Sequence, residues 1–115
     1  MLSAHLDQTM MALADPTRRA ILKRLSQGES RVTELAQPFD ISLNAVLKHI
    51  LILERTHLVQ RRIEGRDHFL SVSTERLDEA ADWIENYRRS WEQRLDRLDD
   101  YLRKRQAKGE EAWTI

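Results

Sequence analysis

Between Thr33 and Arg66 the apolar residues change period within one short run, TELAQPFDISLNAVLKHILILERTHLVQRRIEGR. Val46, Ile50 and Leu53 stand at i, i+4 and i+7, the buried stripe of a helix from Leu43 to about Thr56. Ser42 precedes it as a capping residue, and Asn44, Lys48 and Arg55 fall on the opposite side. A shorter helix with Leu35 and Ala36 comes before, capped by Thr33, and Pro38 stands near its end. Phe39 and Ile41 read as core residues around the intervening turn. After Thr56, Leu58 to Glu64 alternates weakly, Glu64-Gly65-Arg66-Asp67 makes a turn, and His68 to Ser73 alternates through Phe69 and Val72. Those last segments form a β-hairpin.

Short helix, tight turn, second helix and hairpin follow in the order of a helix-turn-helix with a wing. Such a unit presents its second helix to the major groove of DNA. Two helices precede it. Ser3 to Leu13 carries Leu6, Met10 and Leu13 on one face. Asp15-Pro16 then starts a helix running to about Ser26, with Ala20, Ile21 and Leu25 inward and Gly28 as its stop. Ser30 to Val32 reads as a short strand.

From Glu75 to about Ala107 no proline or glycine interrupts, and the apolar residues keep a seven-residue repeat. Leu77, Ile84, Trp91 and Leu98 form one row. Ala81, Leu95 and Leu102 form a second, interrupted by Arg88, and Ala80, Tyr87 and Tyr101 a third. A helix of that length is a rod of roughly 50 Å. A chain of 115 residues supports one domain with a modest core and cannot cover such a rod along its length. Its first turns are expected to pack on the winged unit. The part from Trp91 to Leu102 is expected to pair with a second copy. The dimerisation residues expected on this basis are Leu6, Met10, Ile84, Tyr87, Trp91, Leu95, Leu98 and Leu102. The fold class is mainly α with a small β-hairpin wing. It divides into a winged helix-turn-helix at 1–74, a dimerisation helix at 75–107 and a flexible tail at 108–115, where Trp113 reads as a solvated residue.

Composition narrows the function. Charged residues make up 33% and hydrophobic ones 41%, as in a folded soluble protein. The N-terminus lacks the pattern of a secretory signal, and no apolar run approaches the ~20 residues that span a bilayer. The absence of cysteine excludes disulfides and thiolate metal sites and fits a cytoplasmic location. Net charge is zero, but Pro16 to Arg66 holds ten Lys and Arg against five acids, an excess of five positive charges. A basic middle of this kind suits a polyanion, although an ordinary solvated surface has the same composition.

The stretches ALADPTRRAILKRL (12–25), VTELA (32–36), ISLNAVLKHILILERTHLV (41–59) and RRIEGR (61–66) together resemble ArsR-type winged-helix transcriptional repressors. The resemblance covers residues 6 to about 73, and the last helix is compatible with it. It implies a homodimer that binds an imperfect palindrome in double-stranded DNA, represses transcription and is released by an inducer, often a metal ion. The departures from the pattern are specific. Metal-sensing relatives carry cysteines in the third helix, where VTELAQPF has none, or histidines on the last helix, which has none here. The four histidines are scattered, so no metal site and no cofactor are expected. The effector, small molecule or protein, is left open. Leu47 stands where the family usually has a small polar residue, and His57 where it often has glycine.

The expected DNA-binding residues are Ser42, Asn44, Leu47, Lys48 and His49 on the second helix, with Arg61, Arg62 and Arg66 on the wing. Ser42 caps the helix and its hydroxyl also reaches a phosphate. Asn44 suits adenine, and Lys48 suits guanine or phosphate. Leu47 either meets a thymine methyl or packs on a neighbouring helix. His49 divides between DNA contact and packing. Arg61 and Arg62 either contact phosphate or pair with acids of the last helix, and Arg18 and Arg19 either touch phosphate or flank the domain. No phosphate loop, nucleophile elbow or ligand cluster supports an enzyme. The rival is a protein-interaction module, in which the winged unit is a scaffold and the long helix binds a partner. RNA is disfavoured because the candidate face lacks exposed aromatics for stacking.

Overall fold

The computed structural model describes residues 4–108. The expectations for Ser3 and for residues 109–115, Trp113 included, lie outside that range. The chain divides into two compact units, the first through Ala80 and the second from Ala81.

The first unit opens with α1 (Ala4–Leu13) and α2 (Pro16–Leu25). In α1 the buried line is Leu6, Thr9 and Ala12, whereas Met10 and Leu13 are only half-buried. Thr9 tolerates burial because its hydroxyl donates to the His5 carbonyl at 2.8 Å. Asp15 caps α2 by accepting from the Arg18 amide at 3.0 Å, and Pro16 occupies the first turn, where its missing N–H costs nothing. The Arg18 amide bond, more than the nearby His49 and Arg18 charges, holds the Asp15 carboxyl below the usual carboxylate range. The inward face of α2 is Ile21, Leu22 and Leu25. Ala20 is exposed, contrary to expectation, because the larger Leu22 takes the core side.

Strand β1 (Ser30–Arg31) leads directly into α3 (Val32–Ala36). That helix starts two residues earlier than expected. Arg31 stands at its N-cap without a side-chain bond, so Thr33 lies inside the helix and is not its cap. In the following turn Phe39 packs against the core, but Ile41 is exposed. Helix α4 (Leu43–Arg55) begins at Ser42, whose Oγ accepts from the Ala45 amide at 3.1 Å. Its Val46, Ile50 and Leu53 are wholly buried. Each such side chain contributes roughly 1.5–3 kcal/mol of transfer free energy, so this stripe fixes how α4 is rotated.

The end of α4 explains the His57 departure. The Leu58 amide donates to the Leu53 carbonyl at 2.9 Å and the His57 amide to the Glu54 carbonyl at 3.1 Å. This is a Schellman stop, which requires a left-handed residue after the cap. His57 supplies it with φ of 61°, where glycine would be unstrained.

Strands β2 (Val59–Glu64) and β3 (Asp67–Val72) pair antiparallel, with Arg61 opposite Leu70 and Arg62 opposite Phe69. The connecting Gly65-Arg66 turn has positive φ only at Gly65, the pattern of a type II′ hairpin. β1 adds to the other edge of β3, so the wing is a three-stranded sheet in the order β1-β3-β2. Helix α5 (Glu75–Lys108) starts in this unit. Leu77 packs on the core and Ala80 is buried, as expected for its first turns.

The second unit is the rest of α5. From Ile84 to Leu102, seven large side chains (Ile84, Tyr87, Trp91, Leu95, Leu98, Tyr101, Leu102) are 42–57% exposed. Trp83 and Tyr87 stack with ring centroids 5.2 Å apart, and Tyr87 meets Trp91 edge-on at 6.1 Å. Arg88 bridges Glu85 and Glu92, and Arg103 meets Asp99 at 2.9 Å. The Arg88 hydrogen bond holds the Glu85 carboxyl below its ordinary range. Such exposed helical pairs are screened by solvent and leave the apolar stripe as the helix's dominant feature.

Candidate nucleic-acid interface

With Val46, Ile50 and Leu53 turned into the core, the rest of α4 is set by helical geometry. Leu43, Asn44, Leu47, Lys48, Leu51 and Arg55 are exposed together on one side. Asn44, Leu47 and Lys48 were expected there. Leu43 and Leu51 were not singled out, although their i−4 and i+4 spacing from Leu47 carries the signal. Ser42 is exposed at the helix start with its Oγ engaged as the cap.

His49 is half-buried behind this face. Its Nδ1 lies 3.2 Å from the Arg18 guanidinium and 3.7 Å from the Asp15 carboxylate. Arg18 is committed to the fold: its Nε and Nη2 donate to the Ala12 and Met11 carbonyls at 2.8 and 3.2 Å. Arg19 donates to the Leu13 carbonyl at 2.8 Å. Both arginines therefore satisfy the orphan carbonyls that end α1. Arg18 also links them to His49 on α4.

The three wing arginines differ. Arg61 grips Glu54 of α4 with two bonds, at 2.7 and 3.1 Å, and donates to His68 Nδ1 at 2.8 Å. The Glu54 bond raises the Arg61 pKa above its ordinary value. Arg62 meets Glu29 at 2.6 Å and Glu64 at 2.9 Å, and its guanidinium lies 4.5 Å from the Phe69 ring centroid. Those carboxylates, Glu29 first, raise its pKa as well. The partners of Arg61 and Arg62 are thus Glu54, Glu29 and Glu64. None is on the last helix, unlike the alternative drawn from the sequence. Arg66 sits exposed at the hairpin turn with no ion pair among the described residues. It lines, with Arg31, Thr33, Arg61, Asp67 and His68, a shallow cleft between the start of α3 and the wing.

Among the described residues no group of three His, Cys, Asp or Glu side chains is placed to share a metal ion. The histidines lie apart: Nδ1 of His5 faces Arg76, that of His49 faces Arg18 and that of His68 faces Arg61. Among the same residues no helix is long and apolar enough to cross a membrane.

A capped helix with one buried stripe and an open polar-apolar face, combined with a three-stranded wing, defines a winged helix-turn-helix. Comparison with known proteins places it more closely. A family model described as a helix-turn-helix domain matches residues 13–62. The crystal structure of an ArsR family transcriptional regulator is 37% identical, with a TM-score of 0.75, covering 80% of this chain and 95% of that one. An ArsR-like regulator from Rhodococcus sp. RHA1 is 28% identical with a TM-score of 0.74, covering 85% and 92% of the two chains. The transcriptional repressor SdpR of Bacillus subtilis is 28% identical over 82 residues, 71% of this chain and 91% of that protein. The chain belongs to the ArsR family of transcriptional regulators and is a DNA-binding regulator.

Proposed function

We propose that the chain is a dimeric cytoplasmic repressor, without catalytic activity, that binds an inverted-repeat operator. The observation that carries this reading is the rotation of α4. Its wholly buried stripe leaves Asn44, Leu47 and Lys48 exposed side by side on the second helix of a helix-turn-helix. Asn44 suits adenine and Lys48 suits guanine or phosphate, with the Ser42 hydroxyl at the helix start near the backbone. On the wing, Arg66 is the cation with no competing carboxylate, and it takes the phosphate or minor-groove contact. Arg61 and Arg62 support the wing through Glu54, Glu29 and Glu64 and contribute to DNA chiefly by position. His49 is a packing residue on the evidence of its Arg18 contact.

The dimer is supported by the stripe from Ile84 to Leu102, a contiguous row of half-exposed Trp, Tyr, Leu and Ile on one helix. A second copy of the same helix is its simplest cover, because a two-fold contact needs only a self-complementary surface. Met10 remains available on α1, whereas Leu6 is already buried in its own chain. Repression is read from the likeness to SdpR.

The test is a mobility shift with the DNA upstream of the gene, alongside light scattering. The expected result is a protein of two copies and a complex that weakens steeply with salt, as released counterions require. A monomer that forms no complex at low salt, yet joins a protein partner through α5, would establish an interaction module instead.

A further inference from the structure

The exposed face of α4 has a composition that its role does not require. Leu43, Leu47 and Leu51 follow one another at steps of four residues and are 53%, 37% and 44% exposed. They form an apolar edge beside Asn44, Lys48 and Arg55 on the same helix. Water-facing leucines gain nothing in the free protein, and three in register make a surface that suits an apolar partner. On the face that enters the major groove, the apolar group a base pair offers is the thymine 5-methyl.

We infer that Leu47, with Leu43 one turn before it, selects thymines by packing on their 5-methyl groups. This rests on the DNA-binding geometry proposed above and adds the base chemistry it reads. Two features of the helix surface favour this occupant over a second protein copy. The leucine edge runs beside Asn44 and Lys48, so whatever covers it also meets an amide and a cation, as a base edge and a phosphate do. The separate stripe on α5, richer in aromatic residues, offers its own surface for the self-contact proposed above.

Selectivity arises from both attraction and rejection. A methyl buried against leucine gains transfer free energy. A guanine in its place would have its O6 and N7 acceptors stripped of water with no donor to replace it. Leu43 and Leu47 are separated by one helical turn of about 6 Å, which corresponds to roughly two base steps of about 3.4 Å each. The half-site is therefore expected to carry thymines about two positions apart on the strand that faces this edge.

The experiment replaces single thymines of the selected operator with deoxyuridine, which removes only the methyl. Binding is measured by fluorescence anisotropy for the wild type and for Leu47→Ala. One or two positions per half-site are expected to lose about fourfold in affinity, the weight of one buried methyl group. In Leu47→Ala the uracil penalty at one of them disappears, while the dependence on salt is unchanged. Uracil that is harmless at every thymine, or a penalty that survives Leu47→Ala and Leu43→Ala, overturns the inference and leaves DNA binding intact. A change of oligomeric mass in Leu47→Ala with unaltered uracil penalties also overturns it, because the edge would then belong to a protein contact. Failure of the wild type to bind any duplex would overturn the DNA-binding geometry itself.

Discussion

Arg61 of β2 holds Glu54 of α4 in a two-point ion pair, with N···O distances of 2.7 and 3.1 Å. Both side chains are about three-quarters shielded from solvent, and the pair joins α4 to strand β2 of the wing. A planar guanidinium on a carboxylate fixes orientation as well as distance, so the wing is set relative to α4 before any ligand arrives. A double-mutant cycle with Arg61→Ala and Glu54→Ala should give a coupling of about 1 kcal/mol in thermal or denaturant unfolding. Additive effects would show that the pair positions nothing. Arg61→Lys should keep the charge and lose most of the coupling, because ammonium cannot make the fork.

The wing arginines should separate in salt dependence. Arg66 has no carboxylate partner among the described residues, whereas Arg62 is held by Glu29 and Glu64. Arg66→Ala should lower the slope of log affinity against log salt by about one, the signature of one lost phosphate contact. Arg62→Ala should leave the slope nearly unchanged and act, if at all, through wing stability. Equal slopes for wild type and Arg66→Ala would remove that residue from the interface.

His57 should be improvable. It holds a φ of 61° at the end of α4, where the backbone bonds of Leu58 to Leu53 and His57 to Glu54 demand a left-handed residue. A side chain there costs about 1–2 kcal/mol, partly offset by the greater unfolded-state freedom of glycine. His57→Gly should therefore raise stability by roughly 0.5–1 kcal/mol in thermal unfolding, with operator affinity unchanged. A lower melting temperature would show that the imidazole contributes something the geometry does not account for.

Asp15 should make stability fall on the acid side. Its carboxyl is held below its ordinary range by the Arg18 amide. A carboxylate with a depressed folded pKa stabilises the fold above its unfolded pKa. That contribution fades as pH falls through the folded value. Asp15→Ala should cost about 1 kcal/mol near neutral pH, the usual weight of an N-cap. The difference between variant and wild type should shrink as the solution is acidified, measured by denaturant unfolding across pH. A difference independent of pH would mean that the charge is not what matters at this cap.

The fold was legible where the signal is local. Ser42 capping α4, the Val46-Ile50-Leu53 stripe and the Glu64-to-Asp67 turn are each written within a few residues, and each stands in the structure as read. The errors came where packing partners decide. Ala20 lost the core side of α2 to Leu22, and Ile41 stayed exposed while Phe39 turned inward. Arg31 displaced Thr33 at the start of α3 because the chain passes directly from strand to helix. The candidate interface was legible in membership more than in state. Arg62 and Glu29 are thirty-three positions apart, so no spacing rule announces their pairing. Glu54 and Arg61 offered a fainter clue, a carboxylate on the flank of α4 followed by an arginine on the next strand.

The most direct measurement is the affinity of the wild type and of Lys48→Ala for the same operator duplex at one fixed salt concentration. Lys48 is exposed beside Asn44 and Leu47, and its side chain makes no ion pair among the described residues, so its removal leaves the fold untouched. Binding is expected to weaken about tenfold or more with an unchanged melting temperature, the effect of losing one guanine or phosphate contact. Equal affinities for the two proteins would contradict the placement of α4 in the groove.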